Sequence, residues 1–384
     1  MPPLSLYIHI PWCEKKCPYC DFNSHLAKTK VDEAAYVTAL LADLDTDLST
    51  FDGDIVQRSL QSIFIGGGTP SLFSAASIDA ILSGVQQRIP FADDIEITLE
   101  ANPGSAETNK FMGFRQAGVN RLSIGVQSFS QHHLKALGRV HNSDEALAAA
   151  GYARAAGFDN FNLDLMFGLP NQDLDQACKD LDQAIELQPT HLSCYQLTIE
   201  PNTLFHHSPP ITPNDETLWS MQNALQRKLK KAGYRQYEVS AYAKANRKCQ
   251  HNLNYWQFGD YLGIGAGAHG KITNGEGTVF RNWKVKHPAS YLSRATASES
   301  FYGDENKVPQ TEIAFEFMMN ALRLSDGFEL SLFEQRTGLP MASIEQLLLK
   351  HKKQGLINIG HNKLRLSTRG QQMVNNMLQD YLPD

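Results

Sequence analysis

Along the chain, short runs of apolar and β-branched residues alternate with stretches in which apolar positions recur every three or four residues. Runs of the first kind suit strands buried on both faces, and stretches of the second kind suit amphipathic helices. Strands are expected at Leu4–Ile10, Ser62–Gly66, Ile95–Glu100, Arg121–Val126, Asn160–Phe167 and His191–Leu197. Between them, the helical stretch Asp32–Ser49 puts Val37, Leu40, Leu41, Leu44 and Leu48 on one face. A later one, Pro213–Ala232, has Thr212 as N-cap, Pro213 at its first position and acidic residues in its first turn. Regular strand–helix alternation predicts a parallel sheet with right-handed crossovers. Six such units by about residue 233, with Tyr237–Ser240 as a candidate further strand, predict an α/β fold that is a partial, TIM-like (β/α)6 barrel rather than the full eight-strand form.

The strand ends are chemically unusual. Leu4–Ile10 runs into a cysteine cluster, Ser62–Gly66 into "GGGTPS", Ile95–Glu100 ends on a carboxylate, Arg121–Val126 leads to Gln127, and Asn160–Phe167 carries Asp164. In a parallel barrel these carboxyl ends open on one face, where functional groups collect. Taken singly, each polar residue could equally cap the following helix.

Past residue 310 the pattern changes. A helical run, Thr311–Leu324, precedes shorter helices, a hairpin in "GLINIGHNKLRLSTRG" turning at Gly360-His361-Asn362, and a last helix to Leu382. That order predicts a small winged-helix-like α+β domain. The expected division is a barrel over 1–240, a barrel-closing segment over 241–309 and the C-terminal domain over 310–384. From Gln310 onward eight Lys and Arg face eight Asp and Glu, a balance that points to packing or protein contact rather than to nucleic acid.

The whole chain carries a net charge of −6 over 384 residues, which offers no general attraction for nucleic acid. No uninterrupted apolar run is long enough to cross a bilayer, and the start "MPPLSLYIHIP" has no basic stretch leading into an apolar one, so a cytoplasmic location is expected. In that reducing compartment six cysteines do not read as a disulfide framework, and a tight cluster of them reads as a metal or redox site. Cys13, Cys17 and Cys20 form such a cluster, with CxxxCxxC spacing. Thiolates select zinc or iron–sulfur centres. A structural zinc site needs a fourth ligand, for which His9 or His25 is available. An iron–sulfur cluster held by three thiols leaves one iron open.

"CEKKCPYC" resembles the signature of the radical S-adenosylmethionine (SAM) superfamily. The resemblance implies a 4Fe–4S cluster on Cys13, Cys17 and Cys20, with SAM chelating the fourth iron and yielding a 5′-deoxyadenosyl radical; it also sets Tyr19 against the adenine. "GGGTPS" is similar to the glycine motif that holds the SAM amino group, where a side chain would block the approach. "LEANPGS", "RLSIGVQSF", "LGRVHN" and "DLMFGLP" resemble one branch, the oxygen-independent coproporphyrinogen III oxidases and the HemW-type heme chaperones. That likeness covers nearly the whole chain and implies SAM contacts for Tyr7, Gly67, Gly68, Thr69, Glu100, Gln127, Arg139 and Asp164.

Two features separate the members of that branch. The oxidases carry a fourth cysteine two residues after the third, where this chain has Phe22, as HemW-type proteins do. "HNLNYW" resembles the HNxxYW motif of HemW-type and related heme-handling proteins, which implies a heme site around His251, Asn252, Tyr255 and Trp256. A neutral imidazole can ligate heme iron, and aromatic rings suit its faces. By residue type alone, Tyr255 and Trp256 could instead be core aromatics and His251 a framework residue. Arg247, Lys248, Arg281, Lys284 and Lys286 could pair with propionates or form a solvated face, and His269 is a second ligand candidate. The glycines of "YLGIGAGAHG" read as a close backbone approach, Cys178 and Cys194 as buried bystanders, and Cys249 as either. The expectation is a heme chaperone that delivers heme to an acceptor protein. The alternatives are a radical SAM decarboxylase of coproporphyrinogen III and a zinc-stabilised nucleic-acid-binding protein.

Overall fold

In a parallel sheet each strand is covered on both faces, and here the two faces differ sharply. The computed structural model describes residues 1–383 apart from 52, 54, 56 and 105–108; the last residue of "LEANPGS", Ser105, falls outside them. Seven strands run parallel: β1 (Leu4–Ile10), β2 (Leu60–Gly67), β3 (Phe91–Ala101), β4 (Arg121–Gln127), β5 (Phe161–Phe167), β6 (His191–Gln196) and β7 (Asp260–Ile264). Their spatial order is β7-β1-β2-β3-β4-β5-β6. Outward positions such as Leu6, Ile8, Ile63, Ile65, Leu99, Leu122, Ile124, Leu163 and Leu192 are apolar and fully buried under the helices. Positions one residue out of phase, among them Ser5, Ser62, Glu96, Arg121, Asn162 and His191, are polar yet also buried. The barrel is therefore sealed outside by aliphatic packing and lined inside by hydrogen-bonding groups.

The sheet is extended at both edges by antiparallel pieces. Beyond β6 lie Ala241–Ala243 and Arg235–Gln236, and beyond β7 lie β8 (His269–Thr273), β9 (Val279–Lys284) and β10 (Tyr302–Lys307). Six consecutive units form as the alternation predicts. The strand expected at Tyr237–Ser240 does not: those residues link Arg235–Gln236 to Ala241–Ala243, because Tyr237 turns its ring inward to bond His191 Nε2 at 2.9 Å. The seventh parallel strand, β7, lies in the glycine-rich stretch whose sequence reads only as a close backbone approach. Gly263 and Gly265 do mark close approaches, since a Cβ would lie 2.0 Å from His269 O and 2.3 Å from His9 O respectively.

The helix Glu33–Thr50 starts where its N-cap Asp32 accepts the Ala35 amide at 3.0 Å. Its most buried stripe is not wholly aliphatic, for Asp43 and Asp47 lie on it beside Tyr36, Leu40 and Leu44, while Val37, Leu41 and Leu48 are only partly covered. The helix expected from Pro213 begins later, at Asp215, with Asn214 rather than Thr212 as N-cap, the Asn214 carboxamide accepting the Thr217 amide at 2.9 Å. In the C-terminal region Ile313–Ala321 is helical, and Ile357–Gly360 pairs with Lys363–Leu366 across His361 and Asn362, both at positive φ. A third strand, Phe328–Glu329, joins that hairpin. The last helix is two short ones, Thr368–Gln372 and Val374–Gln379, ending before Leu382. These elements share a second core around Phe317, Phe328, Phe333 and Leu364, into which Phe258 and Val279 also pack.

Lys284, expected as a surface cation for propionates, is wholly internal. Its ammonium lies 2.6 Å from Asp43 and also bonds Asp47, with all three side chains sealed from solvent. Tyr291 donates to Asp43 at 2.7 Å and Tyr302 to Asp47 at 2.7 Å. Removing the cation would strand two buried carboxylates. Lys284→Met should therefore lower stability by about 3–5 kcal/mol, read in a urea or thermal melt; a loss under about 1 kcal/mol, the scale of a surface pair, would show that the trio carries little.

Candidate functional site

The segment leaving β1 folds back on itself, since Trp12–Cys13 pairs with His25–Leu26 and His25 and Ala27 donate to Pro11 O and Cys13 O at 2.7 and 2.9 Å. This closed loop presents Cys13, Cys17 and Cys20, all free thiols, to one cavity of about 420 Å³ at the carboxyl ends of the strands. Cys13 is the most buried, and burial pushes its thiol up. His9 is no fourth ligand: its Nδ1 accepts from Tyr7 OH at 2.9 Å and its Nε2 donates to Asn23 O at 2.9 Å. His25 Nε2 lies 3.2 Å from Asn23 Oδ1. Among the described residues no three His, Cys, Asp or Glu side chains gather tightly enough for a single metal ion. Three soft donors on one cavity, with neighbouring imidazoles engaged elsewhere, fit an iron–sulfur cluster with one open iron.

The glycine motif at the end of β2 lies directly on this loop. Gly68 N–H donates to Ile10 O and Thr69 N–H to Trp12 O, both at 2.8 Å. Any side chain would break the contact: a Cβ on Gly67, which sits at φ +117°, would fall 2.5 Å from the His9 ring, and one on Gly68 would fall 2.5 Å from Trp12 O. Gly67 N–H in turn donates to Glu100 Oε2 at 3.1 Å.

Gly67, Gly68, Thr69, Glu100, Gln127, Arg139, Asp164 and Tyr19 all line the cavity with the cysteines. Burial, reinforced by the nearby Asp164 carboxylate, pushes Glu100 up to about 8. Burial also raises Asp164, which accepts Asn162 Nδ2 at 2.8 Å and Ser123 Oγ at 3.0 Å. Gln127 reaches the cavity from a bulge in β4 with φ at +68°, a conformation unfavourable for a residue with a side chain. Tyr7 does not line the cavity; its ring lies deeper in the barrel, beside Phe64 and His251. Asn102, Ser123, Met166 and Tyr195 line the cavity and were not singled out by motif. Strand alternation through Arg121, Asn162 and His191 would have pointed at Ser123 and Tyr195.

The HNLNYW segment lies at the opposite end. It forms the helix Gln250–Trp256, whose first amides, from Gln250 and His251, donate at 2.8 and 3.3 Å to Glu96 Oε1 on β3, beside Ser62 of β2. Asn254 Nδ2 donates to Ser5 Oγ and Asp260 O, both at 2.9 Å. The helix thus plugs the amino end of the barrel with the His251 ring inside, 5.2 Å from Phe64 between centroids. Ser62 Oγ donates to Ser5 Oγ at 2.8 Å and meets His251 Nδ1 at 3.1 Å. Burial pushes His251 down to about 3, so the ring is neutral. Asn252 lies on the same helix, its Oδ1 3.5 Å from Cys249 Sγ. Tyr255 is 37% exposed, its ring against Tyr261, and Trp256 packs on the C-terminal core. Cys194 and Cys249 are buried and Cys178 is half-buried, none on the cavity. Of the expected propionate partners, Arg247 pairs with Asp159, Lys248 with Asp326 and Arg281 with Glu316. Lys286 and His269 are exposed.

The description "Radical SAM superfamily" matches residues 7–184, and "HemN C-terminal domain" matches residues 308–373. The chain is 50% identical over 384 residues to the heme chaperone HemW of Haemophilus influenzae, covering 100% of this chain and 99% of that one. It is 48% identical to heme chaperone HemW of Escherichia coli with the same coverage, and 35% identical to that of Bacillus subtilis over 98% of this chain and 99% of the relative. Its fold matches the solved structure of coproporphyrinogen III oxidase (HemN) from Escherichia coli with a TM-score of 0.82 at 22% identity, over 99% of this chain and 90% of that one. With thiols, glycine cradle and carboxylates at one mouth and this likeness running from end to end, the chain belongs to the HemW family of heme chaperones within the radical SAM superfamily.

Proposed function

We propose that this chain binds heme and passes it to a heme-requiring acceptor protein in the cytoplasm, with a 4Fe–4S cluster and SAM at the barrel mouth gating or driving the transfer. The observation that carries this reading is the 50% identity, over the whole length, to a relative named heme chaperone HemW. Phe22, where the oxidases have a ligand-type cysteine, and the HNLNYW helix support the same choice. No helix among the described residues is long and apolar enough to cross a membrane.

In this reading Cys13, Cys17 and Cys20 hold the cluster, and Tyr19, Gly67, Gly68, Thr69, Glu100, Gln127, Arg139 and Asp164 surround SAM. When bound, cluster and SAM supply one-electron chemistry. The chain's own part is to hold the thiols on a rigid loop, to offer close backbone at Gly67 and Gly68, and to place a carboxyl group, Glu100, where it could accept from the SAM amino group. Heme is assigned to the region of His251, whose neutral ring keeps an unprotonated nitrogen, with Asn252, Tyr255 and Trp256 on the same helix.

Anaerobic reconstitution should give about four iron and four sulfide per chain, and serine at Cys13, Cys17 or Cys20 should abolish uptake; full iron content in the triple variant would overturn the ligand set. Titration with heme should shift the Soret band, and His251→Ala should weaken binding about tenfold or more, or about 1.4 kcal/mol, with the thermal midpoint checking that the variant is folded. An unchanged titration in His251→Ala would remove His251 from the site.

Glu100 supplies a pH test. Its folded value is raised, so the proton is held through neutrality, and the stability gained from holding it is lost as pH rises toward about 8. SAM carries a sulfonium cation, and added positive charge favours the ionised form. SAM affinity should therefore climb between pH 6 and 8, by at most about tenfold per unit, with proton release seen calorimetrically in buffers of different ionisation enthalpy. Glu100→Gln should bind weakly with no such climb, and a pH-independent affinity in the unaltered protein would exclude the pairing.

A further inference from the structure

Arg139 is a guanidinium that the fold holds in the cavity wall with no acid to balance it. Among the described residues it forms no ion pair. Its Nη2 donates to two neutral acceptors, Asn102 Oδ1 at 2.5 Å and Gly125 O at 2.8 Å, while Nη1 approaches Cys17 Sγ at 3.6 Å. The Nε–H is sealed from solvent and, among the described residues, has no hydrogen-bond partner. The backbone is shaped to keep it there. Gly138 lies at φ +69° with its Cα so near the cysteine loop that a Cβ would sit 2.9 Å from Pro18 Cδ, and the Arg139 amide donates to Leu134 O at 3.0 Å. A half-buried cation with no counter-charge among the described residues, and with a sealed, orphaned donor, is unfavourable unless a bound anion completes it.

We propose that this anion is the iron–sulfur cluster, and that Arg139 sets how readily the cluster accepts an electron. The inference rests on the cluster reading above and goes beyond the SAM contact that family likeness implies for this residue. A cubane on three thiolates is an anion whose charge grows by one on reduction. A fixed positive charge beside Cys17 therefore stabilises the reduced form more than the oxidised form, and an N–H aimed at sulfur acts in the same direction. Arg139 is on this account a positioning and electrostatic residue for the cluster, whether or not SAM is present.

The test is a redox titration of the anaerobically reconstituted full chain with no SAM added, so that a lost SAM contact cannot account for the result. Arg139→Gln should take up iron but, at a fixed poise, hold about tenfold less reduced cluster, which for a one-electron couple is about 59 mV more negative. Arg139→Lys, which keeps the charge but not the fork, should recover most of the difference. Failure of Arg139→Gln to load iron while Arg139→Lys loads it would also support the counter-charge role. A midpoint in Arg139→Gln equal to that of the unaltered chain would overturn the proposal. Equal shifts, or equal iron loss, in the two variants would overturn it as well. Should the unaltered chain itself take up no cluster, the cluster reading fails rather than this one.

Discussion

The trio of Lys284, Asp43 and Asp47 fixes how the chain's later third is attached to its first. Lys284 lies in β9, outside the run of consecutive units, and the two aspartates lie on the first crossover helix, Glu33–Thr50. Three charges with no solvent contact are tolerable only in one geometry, because each is costly without the others. Asp43 also accepts the Gly265 amide at 3.0 Å, so the same carboxylate sets the turn after β7. From that turn Ala266 O accepts Asn23 Nδ2 at 2.8 Å, and the Ala266 amide donates to Tyr36 OH, which itself donates to His9 O. The buried charges and the cysteine loop are thus joined through a few short hydrogen bonds, and the late strands brace the loop that presents the thiols.

Inside the barrel the inward residues form a polar column between the two ends. At the amino end Glu96 caps the HNLNYW helix and faces Arg121 at 3.9 Å. Midway, His191 bridges Asn162 Oδ1 at 2.7 Å and Tyr237 OH at 2.9 Å. Asn162 then reaches Asp164 on the cavity wall. Mouth and plug are distinct sites with hydrogen-bonded side chains running between them, so the fold gives cluster chemistry and the proposed heme helix a shared interior without mixing their ligands.

Much of this could be read in advance where one strong local signal decides the matter. Strand-length apolar runs gave the consecutive units, and the polar endings of those strands did gather at one mouth with the three cysteines. The failures have common physical causes. Lys284 reads as a surface cation because its acids lie some 240 residues away, and burial of a charge depends on partners that no local window contains. β7 is masked by glycines that serve close approach, Gly263 to His269 within the strand and Gly265 to His9 at the turn after it. Tyr237 has strand propensity but uses its hydroxyl inside the barrel. For His251, motif likeness names the residue but not the end of the barrel at which its helix packs; that follows from Glu96, Ser5 and Ser62, which are distant in sequence and individually unremarked.

The charge balance of the lumen explains why one of its acids stands apart. Glu96, Glu100 and Asp164 face inward, and Arg121 is the fully buried cation among them. Arg121 lies against Glu96 and draws Asp164 toward ionisation, while burial and Asp164 oppose a negative charge on Glu100 and, among the described residues, the Gly67 amide favours one. With more carboxylates than cations in a poorly solvated space, the proton settles on the acid farthest from the guanidinium's help. That acid is also the one next to the glycine cradle at the cavity. The barrel's own groups therefore hold Glu100 neutral, and a ligand bringing positive charge to Gly67 and Gly68 would draw off the proton.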